Sequence, residues 1–255
     1  MEQYGNKSTY NMEGVLQQNI QNSEYYKGLH QLTTWTEVVD EIYNEVDHVE
    51  PWMAGNARGP STAFCLLFKF FTMKLTEKQV VDLLDHPDSP YIRAIGLLYL
   101  RYVADPKTLW EWYEPYLRDP EEIQPSPTAS VTVKMGAYVR DLLLDQYYFD
   151  TLFPRIPEVA KRETINWLGE MGLPTKAAGG GGTGLGPNRN ADSGIRRPPS
   201  VKAALSVNLG QRAPHRADAR EEGRGIDPTL NGRGGRKPAA RDSPSRRPSP
   251  PPPRG

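Results

Sequence analysis

Polar and apolar residues alternate along most of this chain, but not from Ser61 to Lys74, which reads STAFCLLFKFFTMK. Ala63, Phe64, Cys65, Leu66, Leu67, Phe68, Phe70, Phe71 and Met73 leave only Lys69 and Thr72 to break an apolar surface. A helix at the surface carries one apolar stripe, whereas a helix apolar all round must be surrounded by protein. The residue types also suit a strand, but Leu, Met and Ala and the length of the run favour helix. A bilayer span needs roughly twenty residues, more than this run offers. The pattern therefore predicts a central helix in the core of a soluble domain, with Phe64, Leu67, Phe68 and Phe71 at its heart.

Around it, helical spacing recurs with start signals. Asn11 is placed to cap a helix carrying Val15, Leu16 and Ile20, and Ser23 to cap a turn with Tyr25, Tyr26 and Leu29. Thr34 and Glu37 fit a capping box, in which each side chain bonds the other's backbone N–H. Trp35, Val38, Val39, Ile42 and Val46 follow on one face, and Asp40, Glu41 and Glu45 on the other. Thr76 and Gln79 form a second such box before Val80, Val81, Leu83 and Leu84. Ser89-Pro90 and Asp105-Pro106 pair a capping side chain with proline at the first helical position. Pro115 should end or kink the second of these helices. Residues 118–130 read as a loop, Val131 to Val133 as a hairpin edge at most, and Met135 to Leu144 as helix. A last amphipathic piece, Glu158 to Gly169, carries Val159, Ile165, Trp167 and Leu168. The predicted class is all-α: an irregular multi-helix globular domain around a buried central helix, with one small β-hairpin at most. No repeat of fixed period is present.

Composition divides the 255 residues unevenly. Every Trp, Tyr and Phe precedes Lys176, and residues 1–175 hold 25 of the 31 acidic residues. The last 80 residues hold 16 of the 31 basic ones and 26 Gly or Pro. The zero formal net charge thus conceals a front of about −10 and a tail of about +10. We expect a disordered N-terminus over 1–11, a helical domain over 12–175 and a disordered basic tail over 176–255, since the tail has too little apolar surface to repay ordering. The single Cys65 excludes an internal disulfide and a cysteine-based zinc site. The polar start MEQYGNKSTYN lacks the apolar region of a signal peptide. Both features fit a reducing compartment, nuclear or cytoplasmic.

Little in the chain points to catalysis. Gly179 to Gly186, GGGGTGLG, resembles part of a phosphate loop but follows no strand, so it reads as a linker. Asp47, His48 and Glu50 are three ligand types in four residues, yet a loop of one His and two acids is usually solvated. No cofactor, metal or small-molecule substrate is expected. Arg58, Arg93, Arg101, Arg140 and Arg155 each stand in an apolar or Gly/Pro-rich setting. The plain reading pairs each with a nearby acid; the sharper one makes them a docking surface for a protein or RNA. Arg93 and Arg101 lie eight apart on one predicted helix, close enough in phase to share a face. In the tail, mixed Lys and Arg favour polyanions in a salt-dependent way. Ser243, Ser245 and Ser249, in SPSRRPSP, are candidates for phosphorylation, which would cancel part of that charge. Pro250 to Pro253 favours polyproline II.

Four stretches carry a family resemblance: TTWTEVVDEIYNEVDHVEPW, STAFCLLFKFFTMKLT, HPDSPYIRAIGLLYLRYVADPKTLWEWYEPYL and VRDLLLDQYYFDTLFPRIP. Over about residues 14–157 the chain resembles the pre-mRNA-splicing factor 38 family, most of all its B-type branch. The resemblance implies a non-enzymatic nuclear splicing factor. Such a protein would be a docking scaffold of the precatalytic spliceosome and tri-snRNP, needed for activation, with spliceosomal proteins and snRNP particles as partners. It implies no membrane contact. The positions matching the family blocks are Glu50, Pro51 and Trp52; Asp88 to Arg93; Arg101 and Tyr102; and Phe153 to Pro157. We take Glu50, Trp52, Arg58, Tyr91, Arg93, Arg101 and Arg155 as candidate partner-binding residues, and the tail as a source of weak RNA contact. The short SPSRRPSP cluster departs from the long Arg-Ser arrays of many members, and 124–134 and the chain after Pro157 also diverge. The rival reading is direct RNA binding through the tail and an Arg-bearing helical face. The acidic balance of 1–175 opposes it, because phosphate contacts need clustered Lys and Arg.

Overall fold

A computed structural model describes residues 1–53 and 59–185. Arg58, Ser243, Ser245 and Ser249 lie outside the described residues. Within them the helices are α1 (Gly14–Asn22), α2 (Glu24–Gly28), α3 (Trp35–Glu45), α4 (Thr62–Met73), α5 (Glu77–Leu84), α6 (Pro90–Val103), α7 (Leu109–Tyr113), α8 (Met135–Leu144) and α9 (Glu158–Glu170). Two antiparallel pairs accompany them, β1 (Glu122–Ile123) with β2 (Val133–Lys134), and β3 (Tyr147–Tyr148) with β4 (Thr151–Leu152). The described residues are therefore all-α with two minimal hairpins, one more than expected. No described helix is long and apolar enough to cross a membrane.

The run that opened the sequence is α4, and Phe64, Leu67, Phe68 and Phe71 are all buried. Ser61 caps it, its Oγ accepting from Phe64 N at 3.2 Å, and Lys74 ends it in the left-handed region at φ 54°. α1, α2, α3 and α6 pack on it, which is why its whole circumference is apolar. α6 is a second central helix. Its residues from Ala94 to Val103 are buried without interruption, Arg101 included. Gly96 lets α5 approach α6, since a Cβ there would lie 3.0 Å from Leu83 Cβ.

Both capping boxes form, at Thr34 with Glu37 and at Thr76 with Gln79, and Ser89 caps α6 ahead of Pro90. The Asp105-Pro106 signal instead makes a turn, with Asp105 O accepting from Thr108 N at 2.9 Å, and α7 begins after it. Pro115 sits in the 3₁₀ turn Glu114–Tyr116 that closes α7. Ser23 makes no side-chain cap of α2. Val81, counted with the buried stripe of α5, is 41% exposed, and Val159 of α9 is 68% exposed.

Described residues on both sides of the expected helical domain make contacts with it. Residues 1–11, read as disordered, lie along the C-terminal end of α6. Asn11, read as a helix cap, sits at φ 58° and donates its Nδ2 to Tyr102 O at 2.8 Å. Gln3 Nε2 donates to the same carbonyl at 3.0 Å, and Tyr4 N to Val103 O at 2.9 Å. The last carbonyls of a helix have no partner within it, and this polar arm supplies them. Tyr10 anchors the arm by stacking on Phe71 at 5.4 Å.

At the other end, the chain beyond Lys176 returns to α8. Asp141 is buried, and its carboxylate accepts from Ala178 N at 3.0 Å, Gly179 N at 2.8 Å and Gly182 N at 2.6 Å. Gly179 to Gly182 all have positive φ, from 56° to 94°, a conformation other residues rarely adopt. At Gly181 a Cβ would lie 3.2 Å from the Tyr138 ring and 3.3 Å from that of Tyr148. The glycine run is therefore a clasp on the domain rather than the start of a linker.

Candidate functional site

The candidate docking residues meet different fates. Trp52 is buried in the core, bridged through its backbone to Pro60. Glu50 accepts from Ser126 Oγ at 2.7 Å, tying the segment after α3 to the 124–128 loop. Tyr91 is half-buried, and burial raises its phenol above the usual tyrosine range. Asp47 bonds His48 Nδ1 at 2.5 Å while Glu50 turns to Ser126, so the three ligand types do not converge. Among the described residues no group of three or more His, Cys, Asp or Glu is placed to hold a metal. Burial pushes the Cys65 thiol up to about 12, so it carries no thiolate reactivity.

Arg93 and Arg101 both point toward the C-terminal half of the domain but do different things. Arg93 pairs with Asp119 and Glu121, donates its Nε to Leu84 O at 3.0 Å and lies 5.9 Å from the centre of the Tyr116 ring. It joins α5, α6 and the segment before β1. Breaking such a partly buried network by removing one partner is costly. Arg93→Ala should lose about 2–4 kcal/mol, checked by urea unfolding, whereas a residue used only for docking would leave the midpoint unchanged.

Arg101 is different because, among the described residues, no carboxylate forms an ion pair with it. Its side chain is 2% exposed, and its Nε donates to Leu142 O at 2.8 Å. The guanidinium carbon lies 4.8 Å from the centre of the Phe153 ring, and one Nη has no partner among the described residues. Burial lowers it to about 10, which leaves it a cation at neutral pH. It lines a cleft of about 240 Å³, with Arg155 and Lys161 from the approach to α9 and from α9 itself. Two predicted candidates, Arg101 and Arg155, thus come together here. Lys161 was not anticipated; its only sequence signal is its place one turn after the Phe153–Pro157 block.

A second polar cluster supports the site from below. Tyr148 OH donates to Val49 O at 2.8 Å and lies 3.2 Å from Tyr138 OH, deep between α8 and β3. Burial holds both phenols well above their ordinary range, so both stay neutral donors. Phe153 packs on Tyr148 at 4.8 Å, which carries this rigidity to the ring beneath Arg101.

The described residues thus make up a helical domain whose buried charges mostly serve its own packing, with one basic cleft left open. A family model described as the PRP38 family matches residues 2–166, and the chain belongs to that family. The match takes in the N-terminal arm and most of α9, beyond the stretches that carried the resemblance. Pre-mRNA splicing factor SR-like 1 of Arabidopsis thaliana is 62% identical over 209 residues, 82% of this chain and 52% of the relative. Human pre-mRNA-splicing factor 38B is 44% identical over 173 residues, 60% of this chain and 32% of the relative. The chain therefore spans about half the length of the first of these relatives and a third of the second. In structure it resembles a chain of the Snu23-Prp38-MFAP1(217-258) complex of Chaetomium thermophilum. The TM-score is 0.57 at 20% identity, covering 68% of this chain and 88% of that one, which shows a shared fold.

Proposed function

We propose that this protein is a non-enzymatic docking scaffold of the nuclear pre-mRNA splicing machinery, acting in the precatalytic particle at the step that leads to activation. Membership of a splicing-factor family carries the reading. The fold supports it, since the similar chain belongs to a crystallised complex of Snu23, Prp38 and a segment of MFAP1. We expect this chain likewise to bind other splicing proteins through its helical domain. The basic tail would add salt-sensitive contact with RNA, tuned by phosphate at Ser243, Ser245 and Ser249.

Co-purification from nuclear extract tests this, using the full chain beside one ending at residue 185, at low and moderate salt. Both should recover splicing proteins and small nuclear RNAs. Recovery by the full chain alone, stripped by salt, would make the tail the functional element and end the scaffold reading.

A further inference from the structure

The cleft beside α8 and α9 places three cations around a space sized for one side chain. Arg155 is exposed and Lys161 half-buried, and among the described residues neither forms an ion pair. Arg101 lies beneath with its unpartnered Nη, held immobile by Leu142 O and the Phe153 ring. Leu144 and Ile156 add apolar wall. A buried cation without a directly bonded counter-ion is unfavourable unless something compensates it, and a carboxylate brought into the cleft would add to what Asp145 supplies. Asp145, one of two acids in the lining, acts electrostatically on both Arg101 and Lys161 without an ion pair to either among the described residues.

We propose that this cleft receives a single Asp or Glu side chain presented by a partner protein, with Arg155 and Lys161 gripping the carboxylate at the mouth and the fixed charge of Arg101 behind them. This rests on the scaffold reading and names the chemistry of one contact within it. Guanidinium groups match a carboxylate through paired N–H donors. Small-molecule sites usually enclose about 300–1,000 Å³, more than this cleft offers. Asp145 and Glu158 also line it, and residues 1–175 carry about −10 overall. Both repel the continuous phosphate run of a nucleic acid more than one carboxylate set among apolar neighbours.

The test uses the full chain with labelled arginine, titrated by NMR with the blocked tripeptide acetyl-Leu-Glu-Leu-amide, its Gln counterpart and octauridylate. The Arg101 Nε–H, hydrogen-bonded and buried, reports on the cleft and not on the tail. It should shift saturably with the Glu peptide and not with the Gln peptide. Arg155→Glu with Lys161→Glu, both at the rim, should weaken that response at least tenfold without moving the unfolding midpoint. Equal response to both peptides, no saturable response, or a response to octauridylate alone overturns the proposal. In nuclear extract, the double variant should recover fewer splicing proteins than the unaltered chain. If the unaltered chain recovers them and the double variant recovers them equally, the cleft assignment fails while the scaffold stands. If the unaltered chain recovers none, the scaffold itself has failed.

Discussion

Asp141→Ala should destabilise the domain by about 3 kcal/mol in a chain that runs through residue 185, and by far less in one that stops at 177. Hydrogen bonds to a charged group are each worth about 1.5–3 kcal/mol when the charge is buried. Three of them converge on this carboxylate, from Ala178, Gly179 and Gly182. Their sum is not the expected loss, because the freed N–H groups can turn to water once the clasp peels away. What is lost is the packing of Gly181 on Tyr138 and Tyr148, together with the difference between these bonds and bonds to water. In the shorter chain the carboxylate has already lost those donors and keeps only Arg140, 4.0 Å away. Removing it there relieves a poorly compensated charge. Urea unfolding of the four chains gives the coupling directly, and equal losses in both lengths would mean the clasp contributes nothing through Asp141.

The second large effect is expected at Gly136, the second residue of α8. An alanine Cβ there would lie 2.3 Å from Leu117 O and 2.8 Å from Leu117 C, atoms of the backbone that no rotamer change can move. Relief requires shifting the start of α8 away from the turn after α7. That shift strains two further bonds, Met135 N to Glu121 O at 2.7 Å and Gly136 N to Asp119 O at 3.1 Å. The same two residues, Asp119 and Glu121, hold Arg93. Overpacking costs about 1–3 kcal/mol by itself, and with the strained bonds Gly136→Ala should lose about 3 kcal/mol or more. Gly14→Ala is the control: nothing lies within 4 Å of that position, and alanine should stabilise α1 by up to about 1 kcal/mol. A Gly136→Ala midpoint equal to that of Gly14→Ala would show that the two backbones can separate freely.

The parts of this fold that could be read from sequence are those whose causes are local. Thr34 with Glu37 and Thr76 with Gln79 each signal a helix start within four residues, and both boxes form. The apolar run of α4 announces its burial by having no polar side. The parts that could not be read depend on distant partners. Nothing near Gly179 shows that an acid 38 positions earlier will hold its N–H, so composition alone makes the run a linker. The arm of residues 1–11 is polar because it serves the carbonyls of Tyr102 and Val103, and polar sequence resembles disorder. Among the candidate site residues, type and setting marked the arginines as unusual without sorting them. Arg93 found its acids from the segment before β1, and Arg101 found an aromatic ring and a carbonyl instead. Only three-dimensional placement separates the one that supports the fold from the one left facing a cleft.

The clasp also has a mechanical meaning. α9 buries only Thr164 and Leu168, so it is weakly held along its length. A pull on the chain beyond residue 185 reaches Gly182 and its bond to Asp141 before it reaches α9. The load therefore passes into α8, whose buried residues anchor it in the core. The glycine run is thus placed to act as a strain relief between the chain that follows it and the helix that lines the basic cleft.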